Sequence, residues 1–148
     1  MKSINLWKHS TQENIEEILS HPLVGVILNS FDAFGIGDYE QALTYMTEDV
    51  KFHICAPSHH PIGGIFTGHQ EILQFLKTRK EMLLTIKLSF DKTIVRDNMV
   101  FILGTEEAKV MPREKIHQTD LGLFFLFEGQ KIKAFYRFFD SADMMLVG

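Results

Sequence analysis

A Glu-Glu pair inside an apolar run, seven histidines and one cysteine are the residues whose types could move a proton or hold a metal. The pair is Glu106-Glu107, in the string LGTEEAKV. Residues two apart on a strand share a face, so Val100, Ile102, Gly104 and Glu106 form one row. A carboxylate on an apolar row is desolvated, which raises its pKa toward the range where it can act as a general base. The competing reading is a strand-end glutamate in water or paired with Arg137 or Lys109.

Three histidines, His53, His59 and His60, fall within eight residues, and His69 and His117 are further candidates. Zinc takes three or four N, S or O ligands at about 2.0–2.3 Å. Adjacent His59 and His60 suit one ion poorly, and His53 shares a strand face with Lys51, pointing outward. No metal and no cofactor is therefore expected. A histidine at a pocket mouth, His59 or His60, could instead transfer a proton near neutral pH. Arg137 lies between Phe135 and Phe139 on one strand face. A guanidinium among aromatics either stacks and pairs across a subunit interface or grips an anionic substrate. Cys55 has no CxxC partner and reads as a small core residue, and Asp140 as a cap or turn.

The elements that must position these groups follow from capping and periodicity. Ser10 and Glu13 have capping-box spacing before a short leading helix over 11–19, packed outside the domain or on a partner subunit. Ser20 and Pro22 suit the start of a helix whose stripe is Leu23, Val24, Ile27, Leu28, Phe31 and Phe34, ending at Gly35 or Gly37. Asp38 caps a second helix over 39–47. A strand over 50–55 sets Val50, Phe52 and Ile54 against Lys51, His53 and Cys55. Pro57, Pro61, Gly63 and Gly64 form a loop, and Thr67 caps a third helix. A meander of strands follows over 84–96, 99–109, 116–127 and 131–140.

Helices first and strands after them read as α+β with an antiparallel sheet. The late strands are apolar on both faces: Leu121, Leu123 and Phe125 against Phe124 and Leu126, and Phe135 and Phe139 against Ala134, Tyr136 and Phe138. One face covers the helices and any cavity. The other needs a second cover, and a second copy of the chain is the simplest, so a homodimer through the sheet is expected.

With 148 residues, one domain is expected: an N-terminal extension over 1–20, then a domain over 21–148. A net charge of −4 with no basic stripe argues against nucleic acid and anionic membrane surfaces as partners. One cysteine and no sustained apolar N-terminal run fit a cytoplasmic protein.

The strings AFGIGD (33–38), EDVKFHI (48–54), PIGGIFTG (61–68), LFEGQKIKAF (126–135) and FFDSA (138–142) resemble the SnoaL-like and ketosteroid-isomerase-like families of the nuclear transport factor 2-like superfamily. The resemblance spans residues 23 to 145. It implies a cone-shaped (cystatin-like) fold, helices on a curved sheet, with a small-molecule pocket between them. It favours Glu106 over Glu107 as the family's strand glutamate. The isomerase's tyrosine, base and protonated acid would fall near Phe31, Ile54 to Ala56, and Leu123, where only Cys55 can ionise.

Two functions follow as expectations. One is an isomerase-, cyclase- or hydratase-type acid–base enzyme on an apolar small molecule. Glu106 is then the base, His117 or His59 its partner and Arg137 the orienting group. Phe31, Phe52, Ile54, Leu123, Phe135 and Arg137 would line the ligand. The alternative is a non-catalytic small-ligand-binding or protein-interaction module.

Overall fold

The computed structural model describes residues 7–9, 15–56 and 62–139. The chain begins with a short strand, β1 (Trp7–His9), and three helices, α1 (Ile15–Leu19), α2 (Pro22–Gly35) and α3 (Tyr39–Leu43). A hairpin follows, β2 (Met46–Cys55) and β3 (Gly64–Thr67), then α4 (Gly68–Met82). Four long strands close the chain: β4 (Leu83–Arg96), β5 (Met99–Val110), β6 (Lys115–Glu128) and β7 (Lys131–Phe139).

Local chemistry explains the helix ends. His21, not Ser20, caps α2: its Nδ1 accepts the Leu23 N–H at 3.1 Å, with Pro22 in the first turn. Gly37, at φ 83°, turns the chain out of α2. Asp38 Oδ1 then accepts from the Gln41 N–H at 3.2 Å to start α3. That helix stops at Leu43, short of the expected 47. Tyr45 O accepts the Ile132 N–H at 2.9 Å, and Met46 opposite Ile132 enters the sheet instead. The ladder with β7 thus outcompetes the last helical turn. Thr67 sits at the N-cap of α4 without a side-chain bond there, and its N–H donates to Glu71 Oε1 at 2.8 Å. Glu71, one residue beyond the capping-box position at Gln70, thus satisfies the N-cap N–H in its place.

The seven strands form one sheet in the order β1-β4-β5-β6-β7-β2-β3. The meander is antiparallel as expected, but the sheet is mixed. β2 runs parallel to β7 and β1 parallel to β4. Pairing the first long strand with the last one needs a long crossover, and here the intervening strands and α4 supply it. β3 lies where the Pro and Gly residues point to a loop, and its four residues are too few to show a period.

The helices lie on one face. Leu23 and Ile27 of α2 and Ile72, Phe75 and Leu76 of α4 pack with Phe90, Val100, Ile102, Leu121, Leu123, Phe125 and Phe135 from the sheet. Position 104 lies in the same row and is glycine because β4 crowds it: a methyl there would overlap the carbonyl oxygen of Ser89. Register shifts in β4, between Thr85 and Lys87 and between Phe90 and Lys92, bend the strand.

The opposite face carries Phe101, Leu103, Phe124, Leu126, Tyr136 and Phe138, with Leu103 46% and Phe138 45% exposed. His53 is on this face, as its alternation indicated, stacked on Tyr136 with ring centroids 4.2 Å apart. Cys55 is here too, opposite Phe138, and it is exposed instead of buried in the core. No helix among the described residues is long and apolar enough to cross a membrane.

Candidate small-molecule site

Between the helices and the buried face of the sheet lies a cavity of about 340 Å³. Its walls are mainly apolar, with aromatic rings set among aliphatic side chains. Phe31 of α2 meets Phe90 edge-on at 5.8 Å and Phe125 at 6.1 Å between centroids. Phe135 lies 4.9 Å from both Phe52 and Phe125. These edge and tilted contacts pack the rings against one another along the wall of the cavity. Of the expected ligand-lining residues, Phe31, Phe52, Ile54, Leu123, Phe135 and Arg137 all border the cavity. The three positions where the resemblance places isomerase chemistry therefore do face a cavity through Phe31, Ile54 and Leu123. None of these three side chains carries a proton.

One polar cluster interrupts the apolar wall. Glu106, on β5, is only 4% exposed. Its Oε2 accepts from Arg79 Nη2 at 2.9 Å and from Thr85 Oγ1 at 2.6 Å. Its Oε1 accepts from Arg137 Nη2. Each residue has a structural reason to be there. Glu106 follows Val100, Ile102 and Gly104 on the inward row of β5. Arg137 stands opposite Leu123 on β6 and Ile54 on β2. Arg79 continues the Ile72, Phe75 and Leu76 stripe of α4 and reaches in past the Phe34 ring, 6.0 Å from its centroid. Arg137 thus faces the cavity and cannot pair across an interface on the sheet's other face.

The electrostatics reverse one expectation. The apolar row was expected to raise the pKa of Glu106, and burial does push it up. The Arg137 and Arg79 guanidiniums and the Thr85 hydroxyl outweigh burial, lowering it from 4.5 to about 2. The competing pairing with Arg137 is the arrangement found, with Arg79 as a second partner. Burial presses the Arg137 pKa down, opposed by Glu106 and reinforced by Arg79. Tyr39 also borders the cavity, and burial raises its pKa against the pull of Arg79.

The other candidates fall elsewhere. His117 stands opposite Ala108 and does not border the cavity, although its Nε2 is buried without a hydrogen-bond partner among the described residues. His59, His60 and Asp140 lie outside the described residues. His69 bonds the Thr47 carbonyl at 3.0 Å. Among the described residues, no three His, Cys, Asp or Glu side chains converge to hold a metal ion. Arg79, Thr85 and Tyr39 were missed. Arg79 had a visible signal, a cation on the apolar stripe of α4.

Residues 27–139 match the model of the SnoaL-like domain family. No curated protein matches the chain. Among solved structures, the chain is similar to a nuclear transport factor 2-like protein of unknown function from Burkholderia pseudomallei. That match has 21% identity, a TM-score of 0.78 and coverage of 85% of this chain and 96% of the other. It is also similar to TerC co-crystallised with polyporic acid, at 22% identity and a TM-score of 0.75, covering 85% and 97%. A candidate polyketide cyclase from Silicibacter matches at 17% identity with a TM-score of 0.68, covering 84% and 93%. At these identities the likeness is one of fold.

Proposed function

From the premise that this chain belongs to the SnoaL-like domain family, we propose that its cavity is a receptor for one small, largely apolar molecule. The observation that carries the reading is a cavity lined by aromatic and aliphatic side chains with one polar cluster in its wall. Apolar walls with a few placed polar groups are the usual make-up of a small-molecule site. TerC, of similar fold, was co-crystallised with polyporic acid, which supports a small-molecule occupant on this scaffold.

Acid–base catalysis of the isomerase, cyclase or hydratase type is a second reading, favoured by the two guanidiniums at one end of the cavity. Donors fixed before reaction stabilise an oxyanion that develops beside a carbonyl. On this reading Glu106, ionised and with a pKa far below neutral, is a poor base and instead holds Arg79 and Arg137 in place. The proton acceptor on this reading is His59, since His117 does not border the cavity. A thermal-shift screen of aromatic metabolites on the wild type and on Phe31→Trp, which narrows the cavity, tests the receptor. Hits should stabilise the wild type and lose their effect in the variant. Hits that stabilise both equally would sink the reading. Mass analysis of the recovered hit separates the two: unchanged for binding, rearranged for catalysis.

The bare face of the sheet is proposed to pair with a second copy of this chain. Leu103, Phe138 and the half-buried Phe101, Phe124 and Tyr136 form an apolar surface that no described helix covers.

A further inference from the structure

One residue of α2 breaks the pattern of its own helix. Leu23, Ile27, Ser30 and Phe34 recur at the spacing of an inward stripe, and the other three pack in or against the core. Ser30 is 2% exposed, yet it brings a hydroxyl to a place that calls for an apolar side chain. Buried hydroxyls are normally paired, and a serine inside a helix can turn back to a carbonyl one turn earlier. The exposed hydroxyls of Ser20 and Thr44 do this, donating to the carbonyls of Glu17 and Gln41 at 2.9 and 2.6 Å. The Ser30 hydroxyl has no hydrogen-bond partner among the described residues.

Ser30 borders the cavity together with Phe31 and Phe34. A partner for its hydroxyl can therefore enter from the cavity. Water can fill that role, but a ligand that displaces the water must supply the bond itself or leave a buried hydroxyl unpaired, at a cost in affinity. The other polar groups deep in the wall are engaged: Arg79, Thr85 and Arg137 all donate to Glu106. Helix stability gives no reason for serine here, because alanine is the better helix former and would complete the stripe.

We propose that Ser30 is a specificity-determining residue of this cavity. Its hydroxyl bonds a carbonyl or hydroxyl oxygen carried by a ring ligand, so that the matching hydrocarbon ring is disfavoured. The assignment rests on the small-molecule reading above and narrows it to neutral oxygenated rings.

Equilibrium dialysis of the wild type and Ser30→Ala against isosteric pairs tests it: 1-tetralone with tetralin, and 9-fluorenone with fluorene. In at least one pair, Ser30→Ala should weaken the ketone by about two- to tenfold, the scale of one neutral hydrogen bond, while the hydrocarbon binds as tightly or tighter. The melting temperature of Ser30→Ala should equal or exceed that of the wild type. A ketone unaffected by the substitution, or a ketone and hydrocarbon weakened by the same factor, overturns the role of Ser30 and leaves the receptor standing. A lower melting temperature overturns it too, since the hydroxyl would then be bonded within the fold. Binding of no probe to the wild type overturns the receptor reading as well.

Discussion

The two faces of the sheet are built from alternate residues of the same strands, yet they are opposite in kind. The covered face holds the ionised groups, Glu106 on β5 and Arg137 on β7, at 4% and 9% exposure. The bare face holds large hydrophobics on the same strands, Leu103 on β5 and, next to Arg137, Phe138 on β7, nearly half exposed. A sheet with one wet side would show the reverse. Charge inside and grease outside each cost free energy in the isolated chain. The difference teaches that the inward charges serve a ligand or each other, and that the outward hydrophobics await a cover.

The largest expected effect comes from breaking the inner cluster. Glu106→Ala leaves Arg79 and Arg137 facing each other without their shared anion. Removing one partner of a buried ion pair costs about 3–5 kcal/mol, so urea denaturation should show the variant close to unfolded. A loss of less than about 1 kcal/mol, the level of an exposed pair, would mean that the cluster is solvated.

Acid titration sharpens the same point. Glu106 has its pKa depressed from 4.5 to about 2 in the folded protein. Its contribution is therefore full above the unfolded value and is lost as pH falls from about 4.5 to about 2. The size is on the order of 3 kcal/mol. Glu106→Gln should lack this component of the acid-induced loss, read as the difference between the two stability–pH curves. Parallel curves over that window would remove the ion pairs from the account.

The smallest expected effect on stability belongs to the bare face. Leu103→Glu and Phe138→Glu should each leave the stability of the single chain within about 0.5 kcal/mol, as exposed substitutions do. Light scattering should nonetheless report a monomer where the wild type reports a dimer. A monomeric wild type would leave the apolar face without the partner proposed for it.

Much of this contrast was legible in the residues. Alternation over Val100–Ala108 and Leu121–Phe125 sorted inward from outward positions correctly, because a two-residue period survives any shift of the strand ends. The strong helix α2 and the Gly37-Asp38 step were equally clear. What could not be read was long-range. Arg79 and Glu106 are 27 residues apart, and only the packing of α4 on the sheet brings them together. Without Arg79, the apolar row around Glu106 argued for a raised pKa, and the sign came out reversed. The β2–β7 parallel pairing escaped for the same reason, since it joins the ends of the domain. Residues with weak local signals, Met46 and Gly64–Thr67, took the conformation their partners in the sheet imposed.

Native mass spectrometry of the protein after exposure to a metabolite extract tests the receptor most directly. The account predicts a mass increment of one small aromatic molecule per chain in the wild type and none in Phe31→Trp. A wild type that stays ligand-free, or an increment that persists when the cavity is narrowed, would contradict it.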